Sequence, residues 1–380
     1  MTETSRIPAP RYEIDTDAIR HNFSVLRSLL PPGVAAFCSL KRDGYGFGAG
    51  VVARVLADAG ADGFAAASLE DAAAIRTAAP EVPILLYGGT LADHAETAEA
   101  LDLTVTIASD HDAVTWNAAL GRPRGVFLKI DVGLLRFGFT ETGLARFLKT
   151  TLPACGRLDV IGLYTHLSEK PDAAAEDLAR QKVLFDRALA MCRRHCPSLR
   201  WACASSTDTV ATERQLDYSM VDVGVMLFGL GSPAKRAALG IRPALTGLRT
   251  RLTAVREIEP GTPNTVELPD RIRCLGIATF GWGDGYPKRV PDGAFALVRG
   301  RKAPVIGPPH VEQIRLDLTA IPEAGPGDEV CLLGRQGAAE ITMYDLAAQW
   351  SLKTEDLICG MRQHVPRIYL PAAAGPRPAA

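Results

Sequence analysis

From about residue 11 to residue 240, short apolar runs alternate with longer stretches in which apolar side chains recur every three or four positions. Apolar runs bounded by turn residues read as strands and the 3.6-residue period as helices, so this rhythm predicts parallel strands with helices between them. The runs fall at 34–40, 63–68, 83–87, 102–107, 125–131, 158–165, 200–204 and 221–227. Eight of them predict an α/β fold, a closed (β/α)8 barrel of TIM type. The stretch from Ala175 to Cys192 carries the helical signature, with Leu178, Phe185, Leu189 and Cys192 at spacings of seven, four and three.

Beyond about residue 245 the texture changes to strand-like segments, Leu252–Ile258, Ile272–Thr279, Phe295–Val298 and Glu329–Leu333, cut by Pro and Gly turns. Helical interruptions are expected at Tyr344–Gln349 and Thr354–Met361. The layout is therefore a barrel domain over 11–240 followed by a mainly β C-terminal domain over 245–370, to which residues 1–10 are added. The final residues, 371–380, have nothing to pack and are expected to be a disordered tail.

A chain of 380 residues exceeds the usual span of one hydrophobic core, and its 47% hydrophobic content can fill two. Lys and Arg number 42 against 43 for Asp and Glu, a net charge of -1. Such a balance exerts no global pull on phosphate backbones or anionic lipid, so neither nucleic acid nor membrane is an expected partner. The N-terminus lacks the basic-then-apolar pattern of a secretory signal and no run of about 18 apolar residues occurs, which points to a cytoplasmic protein. Eight cysteines are scattered without C-x-x-C pairs, and only Cys192 and Cys196 share a helical face; unpaired buried thiols, with no metal, are expected.

In a barrel of this kind the chemistry sits at the C-terminal ends of the strands. Lys41 ends the first predicted strand, Arg136 follows the fifth, His166 ends the sixth, Ser205 ends the seventh and Gly224 belongs with the eighth. Cys38 to Ala49, C-S-L-K-R-D-G-Y-G-F-G-A, sets the lysine before a glycine-rich turn containing Tyr45. A partly desolvated lysine there can form an imine with an aldehyde, whereas a solvated one would be a surface residue.

These segments resemble the alanine racemase family. Its cofactor-lysine motif reads K-A-D-A-Y-G-H-G-A, with Lys41, Asp43, Tyr45, Gly46, Gly48 and Ala49 in register. Lys129 to Phe139, K-I-D-V-G-L-L-R-F-G-F, is similar to K-I-D-T-G-M-x-R-x-G-F, and Gly162 to Leu167 to G-L-M-T-H-F. Val221 to Gly229 resembles V-R-P-G-I-x-L-Y-G, Gly281 to Pro287 resembles G-Y-A-D-G-Y-P, and V-P-R-I-Y at Val365 to Tyr369 resembles the family's ending. The resemblance implies pyridoxal 5′-phosphate as cofactor and Lys41 as its Schiff-base lysine. It puts Tyr45, Ser205, Gly224 and Val225 around the phosphate and Arg136 near the phenolic oxygen, with His166 orienting its neighbours. Backbone N–H groups at Gly224 and Val225 with the Ser205 hydroxyl suit a phosphate, a tight turn being the alternative. Lys129 matches a position that can be carbamylated in the family; an unmodified structural lysine is the alternative. An amino-acid substrate and a homodimer with shared active sites are also implied.

The pattern departs from the family around the expected substrate. Inversion at Cα needs proton carriers on both faces of the cofactor. The family's second base is a tyrosine shortly after a glycine resembling Gly261, but this chain has Thr265 and Val266 near that place and no tyrosine between Tyr218 and Tyr286. Asp222 stands where the family directs an arginine at the pyridine nitrogen, and an aspartate there would favour the protonated ring. Trp282 replaces a tyrosine, His310 to Gln313 replaces S-M-D-Q, Glu355 lies near another family tyrosine and Ala204 replaces an asparagine. Two enzymatic readings stay open. One is an amino-acid racemase or epimerase with a substitute second base, for which His310, Glu267 and Asp270 are the polar candidates. The other is a one-base aldolase, transaldolase or decarboxylase, favoured by Asp222. A cofactor-binding protein without turnover is the third reading.

Overall fold

The structure, a computed structural model, describes residues 9–167, 175–205, 207–210, 216, 218–259, 262 and 268–370; the expected tail at 371–380 lies outside them. Its strands are β1 (Arg11–Asp15), β2 (Ala35–Ser39), β3 (Gly63–Ala66), β4 (Ile84–Leu86), β5 (Leu103–Ile107), β6 (Arg124–Lys129), β7 (Leu158–Tyr164), β8 (Trp201–Cys203), β9 (Met220–Val223), β10 (Leu245–Glu257), β11 (Cys274–Ala278), β12 (Phe295–Val298), β13 (Arg301–Ile306), β14 (Ile314–Asp317), β15 (Glu329–Gln336), β16 (Ala339–Ile341) and β17 (Arg367–Leu370). Contacts divide the chain into two units, Met1–Ala18 with Pro243–Ala380, and Ile19–Arg242.

In Ile19–Arg242 the strands lie in the order β8-β7-β6-β5-β4-β3-β2-β9, each pair parallel. The edges meet through Ser219 N–H to Ala202 O (3.3 Å), Asp222 N–H to Ser205 O (3.2 Å) and Ala202 N–H to Ser219 Oγ (2.8 Å). These bonds close the eight strands into the barrel that the repeated apolar runs predict. Its interior is one cluster that includes Phe37, Ala65, Leu85, Phe127, Tyr164 and Met220. Bulk on one strand faces a glycine on the next. Phe37 is in register with Gly63 and Phe127 with Gly162, and a Cβ on either glycine would come within 2.4 Å of the facing ring. Side-chain volume is thus matched across neighbouring strands, as a filled barrel requires. Ser68, Ser109 and Thr140 cap the helices that follow, each accepting the N–H three residues on.

The eighth predicted strand, 221–227, is shorter than its apolar run. It stops at Val223, and Val225–Phe228 form a 3-10 turn closed by the left-handed Gly229. Apolar periodicity alone cannot separate a buried strand from a buried turn of helix.

In the other unit the sheet order is β16-β15-β12-β13-β14-β11-β10-β1-β17, and β10 also pairs with β15, so β10, β11, β14, β13, β12 and β15 form a closed ring. Residues 11–18, expected at the start of the barrel, belong here instead: β1 runs antiparallel to β10 and parallel to β17. A double ion pair fixes it, Arg11 and Arg249 each contacting both Glu13 and Glu329 at 2.6–3.1 Å. Arg11 is buried, and pairing with carboxylates is what makes a buried guanidinium tolerable. All eight cysteines are free. Among the described residues no helix is long and apolar enough to cross a membrane.

Candidate active site

Lys41, Tyr45, Lys129, Arg136, His166, Asp222, Gly224 and Val225 line one cavity of about 610 Å³ at the C-terminal mouth of the barrel. Ser39, Tyr87, Tyr164 and Thr207 line it with them.

Lys41 is presented by an unusual turn. Arg42, Asp43, Gly44 and Tyr45 all have φ between 57° and 60°, a left-handed run in which only Gly44 is at ease. Asp71 supports it: its carboxylate accepts the N–H of Arg42 (2.9 Å) and of Asp43 (2.8 Å). The Asp43 carboxylate in turn accepts the Ala49 N–H at 2.9 Å. The turn packs the Tyr45 ring against Phe228 at 5.4 Å and sets the Lys41 ammonium 5.5 Å from the Tyr45 ring centre. Asp71 is a site-building residue that the sequence does not flag, since S-L-E-D reads only as a helix start.

Asp222 lies on β9. Its Oδ2 accepts a hydrogen bond from the Tyr87 hydroxyl at 2.5 Å, while Oδ1 is buried with no hydrogen-bond partner among the described residues. Burial pushes its carboxyl up to about 6, against the Tyr87 bond and the charges of Lys41 and Lys129. An unpartnered buried carboxylate oxygen on a cavity wall is an acceptor waiting for a donor.

Another part of the lining is cationic. Lys129 is buried with its ammonium 4.0 Å from the Phe137 ring centre and 5.1 Å from that of Tyr164. Burial, then the charge of Arg136, brings it down to about 8. His166 is exposed at the cavity mouth, yet the surrounding protein and the charges of Lys41, Lys129 and Arg136 take it down to about 4, so it is neutral at pH 7. Tyr164 is locked: Thr106 donates to Leu86 O (2.8 Å), so its oxygen receives the Tyr164 O–H (3.1 Å). Asp131 shapes the loop carrying Arg136 by accepting the N–H groups of Gly133, Leu134 and Arg136, each at 2.9 Å.

At the third wall the expected Ser205 is displaced by another hydroxyl. Ser205 does not line the cavity; it donates to Leu216 O (2.5 Å) and its own carbonyl serves the barrel seam. Thr207, two residues further round the turn, reaches the cavity instead, accepting the Gly224 N–H at 2.6 Å. The Gly224 N–H is therefore engaged, and among the described residues the Thr207 O–H is the donor left over. A Cβ on Gly224 would come 2.8 Å from the Tyr45 hydroxyl, so only glycine lets that phenol approach. Val225 opens the 3-10 turn, where an N–H has no partner within the turn.

Trp282, His310 and Glu355 belong to the other unit. There the Trp282 N–H donates to His310 O at 2.9 Å, bringing those two loops together, and Glu355 opens the helix Thr354–Cys359. Asp270 lies in a turn of the same unit. Gly261, Thr265, Val266 and Glu267 lie outside the described residues.

Residues 14–233 match the family model of the alanine racemase N-terminal domain and 245–369 that of its C-terminal domain. An alanine racemase of Desulforamulus reducens is 32% identical over 375 residues, spanning 94% of this chain and 98% of that protein. Among solved structures, the alanine racemase of D-cycloserine-producing Streptomyces lavendulae has a TM-score of 0.81 at 26% identity, over 97% of this chain and 99% of that one. The biosynthetic alanine racemase of Pseudomonas aeruginosa has a TM-score of 0.78 at 28% identity, over 95% and 99%.

Proposed function

Because the chain belongs to the alanine racemase family, we propose that it is a pyridoxal 5′-phosphate enzyme acting at Cα of an amino acid, a racemase or epimerase with an altered site. The observation that carries this is the convergence of Lys41, Asp222 and the Tyr45, Thr207 and Gly224 corner on one cavity. The residues fit the cofactor. Its volume suits a ligand of that size, the orphaned Asp222 Oδ1 suits a protonated ring nitrogen, and the corner that a Cβ at Gly224 would fill suits a phosphate.

When bound, pyridoxal 5′-phosphate supplies an aldehyde for attachment and a ring that draws electron density from Cα. Lys41 is the attachment point and the proton carrier on its own face. Asp222 Oδ1 holds the proton of the ring nitrogen. The Thr207 and Tyr45 hydroxyls and the Val225 N–H would hold phosphate, with Ser205 bonded to Leu216 O behind them. Lys129 and Arg136 draw the substrate carboxylate to their wall, and neutral His166 orients its neighbours without adding charge. The family's shared-site assembly supports a homodimer in which Trp282 and Glu355 contact substrate from the second copy and His310, a polar candidate for the second base, carries the proton on the face opposite Lys41.

The test is incubation of the cofactor-loaded protein with single enantiomers, alanine first, in heavy water. Deuterium at Cα in both enantiomers is expected. Exchange with retention would replace racemisation with one-base chemistry, release of carbon dioxide or an aldehyde would identify a lyase, and a panel of amino acids showing no exchange would end the reading. The pH profile tests the carboxylate wall. Lys129 loses its charge as pH rises through about 8, so KM for the amino acid is expected to rise above that pH by up to about tenfold, roughly one charge-assisted contact. Lys129→Met should remove that limb, and a wild-type KM flat from pH 6 to 9 would take Lys129 away from the carboxylate.

A further inference from the structure

Resting on the placement of Asp222 at the ring nitrogen, we propose that Tyr87 is the positioning residue for that aspartate, holding Oδ2 so that Oδ1 stays turned into the cavity. Tyr87 directly follows β4, and the sheet order sets β3 and β2 between β4 and β9. The two side chains, 135 residues apart in sequence, therefore meet across the barrel mouth rather than along one ladder. Both ends of the bond are anchored. The Tyr87 N–H donates to Ala66 O at 2.9 Å, its ring packs on the barrel cluster and lies 6.2 Å from the Tyr164 ring, and the Asp222 N–H is held by Ser205 O at 3.2 Å.

A carboxylate bound at neither oxygen can rotate and offer either one. A phenol on a fixed ring selects which oxygen it takes and leaves the other to the ligand. The phenol cannot change role, because burial, then the Asp222 charge beside it, keep the Tyr87 hydroxyl protonated well above the usual tyrosine range. The groups acting on Asp222 are Tyr87, Lys41 and Lys129, and its charge is felt at Cys38 and Tyr164. Of these, Tyr87 alone gives it a hydrogen bond among the described residues. Without the phenol Oδ2 becomes a second unsatisfied buried oxygen, which favours protonation of the carboxyl and removes the acceptor.

Tyr87→Phe keeps the ring and deletes only the donor. In apoprotein carrying ¹³C-carboxyl aspartate, the resonance that disappears in Asp222→Asn is expected to titrate near 6 in the wild type and about one pH unit higher in Tyr87→Phe, a shift worth a hydrogen bond to a charged group. Alongside it, dissociation constants are measured for pyridoxal 5′-phosphate and for its 1-deaza analogue, in which CH replaces the ring nitrogen. The wild type should prefer the natural ring, Asp222→Asn should lose the preference, and Tyr87→Phe should reduce it about tenfold. If Asp222→Asn loses the preference while Tyr87→Phe keeps the wild-type preference and titration, Tyr87 does not position Asp222. If Asp222→Asn keeps the preference, Asp222 does not face the ring nitrogen and this inference falls with that placement.

Discussion

Lys41→Ala is expected to abolish covalent attachment of pyridoxal 5′-phosphate and to lower turnover by at least about 10³-fold, beyond the usual worth of a single acid–base group because attachment and proton transfer are lost together. The measurement is intact mass after borohydride reduction: the wild type should gain one reduced cofactor, and Lys41→Ala none. Two amines line the cavity, so the comparison needs Lys129→Ala. Lys129 is wedged between the faces of Phe137 and Tyr164, where its ammonium is enclosed by rings. Lys41 is half-buried at the strand end beside Tyr45, held by the left-handed turn that follows it. Lys129→Ala should therefore keep the added mass. Addition that survives in Lys41→Ala and vanishes in Lys129→Ala would exchange the two roles.

Asp71→Ala should be nearly as damaging without touching any ligand. Arg42, Asp43 and Tyr45 are non-glycine residues in the left-handed region, at about 1–2 kcal/mol each. What over-determines that conformation is the Asp71 carboxylate taking two consecutive N–H groups. Its loss leaves both donors unpaired, about 3–5 kcal/mol for two bonds to a charged acceptor, which corresponds to a fall of about 10 °C in the melting of the Ile19–Arg242 unit. The turn then relaxes toward right-handed backbone and Lys41 leaves its position, so attachment should slow as well. Asp71→Asn, with one acceptor oxygen in place of two, should fall between. Unchanged melting and unchanged attachment in Asp71→Ala would mean the turn holds itself.

The barrel was legible because every strand is a short apolar run closed by a turn; strand-end logic then pointed to Lys41, Arg136, His166 and Gly224, which line the cavity, and the family resemblance to Tyr45, Lys129, Asp222 and Val225 beside them. Where it failed, the reasons are physical. β1, R-Y-E-I-D, is a half-buried strand whose partners lie more than 230 residues away, and a local pattern carries no information about pairing. Ser205 and Thr207 are both hydroxyls on one tight turn, and only backbone direction decides which faces inward. Tyr87 was within reach. It closes the predicted strand 83–87, and the rule that selected Lys41 and His166 selects it too, but L-L-Y-G-G reads as an apolar run meeting a turn. Asp71 was beyond reach, since nothing in S-L-E-D announces that its carboxylate takes the backbone N–H groups of another segment.

The bond between Tyr87 and Asp222 also makes the two positions energetically interdependent. An arginine at position 222 would remove the acceptor that the Tyr87 phenol now serves and would add a fourth cation to Lys41, Lys129 and Arg136 in one mouth. A phenylalanine at position 87 would strand an acceptor. The costs of changing either residue alone are not expected to add when both are changed, so positions 87 and 222 behave as one unit although β3 and β2 lie between β4 and β9 in the barrel.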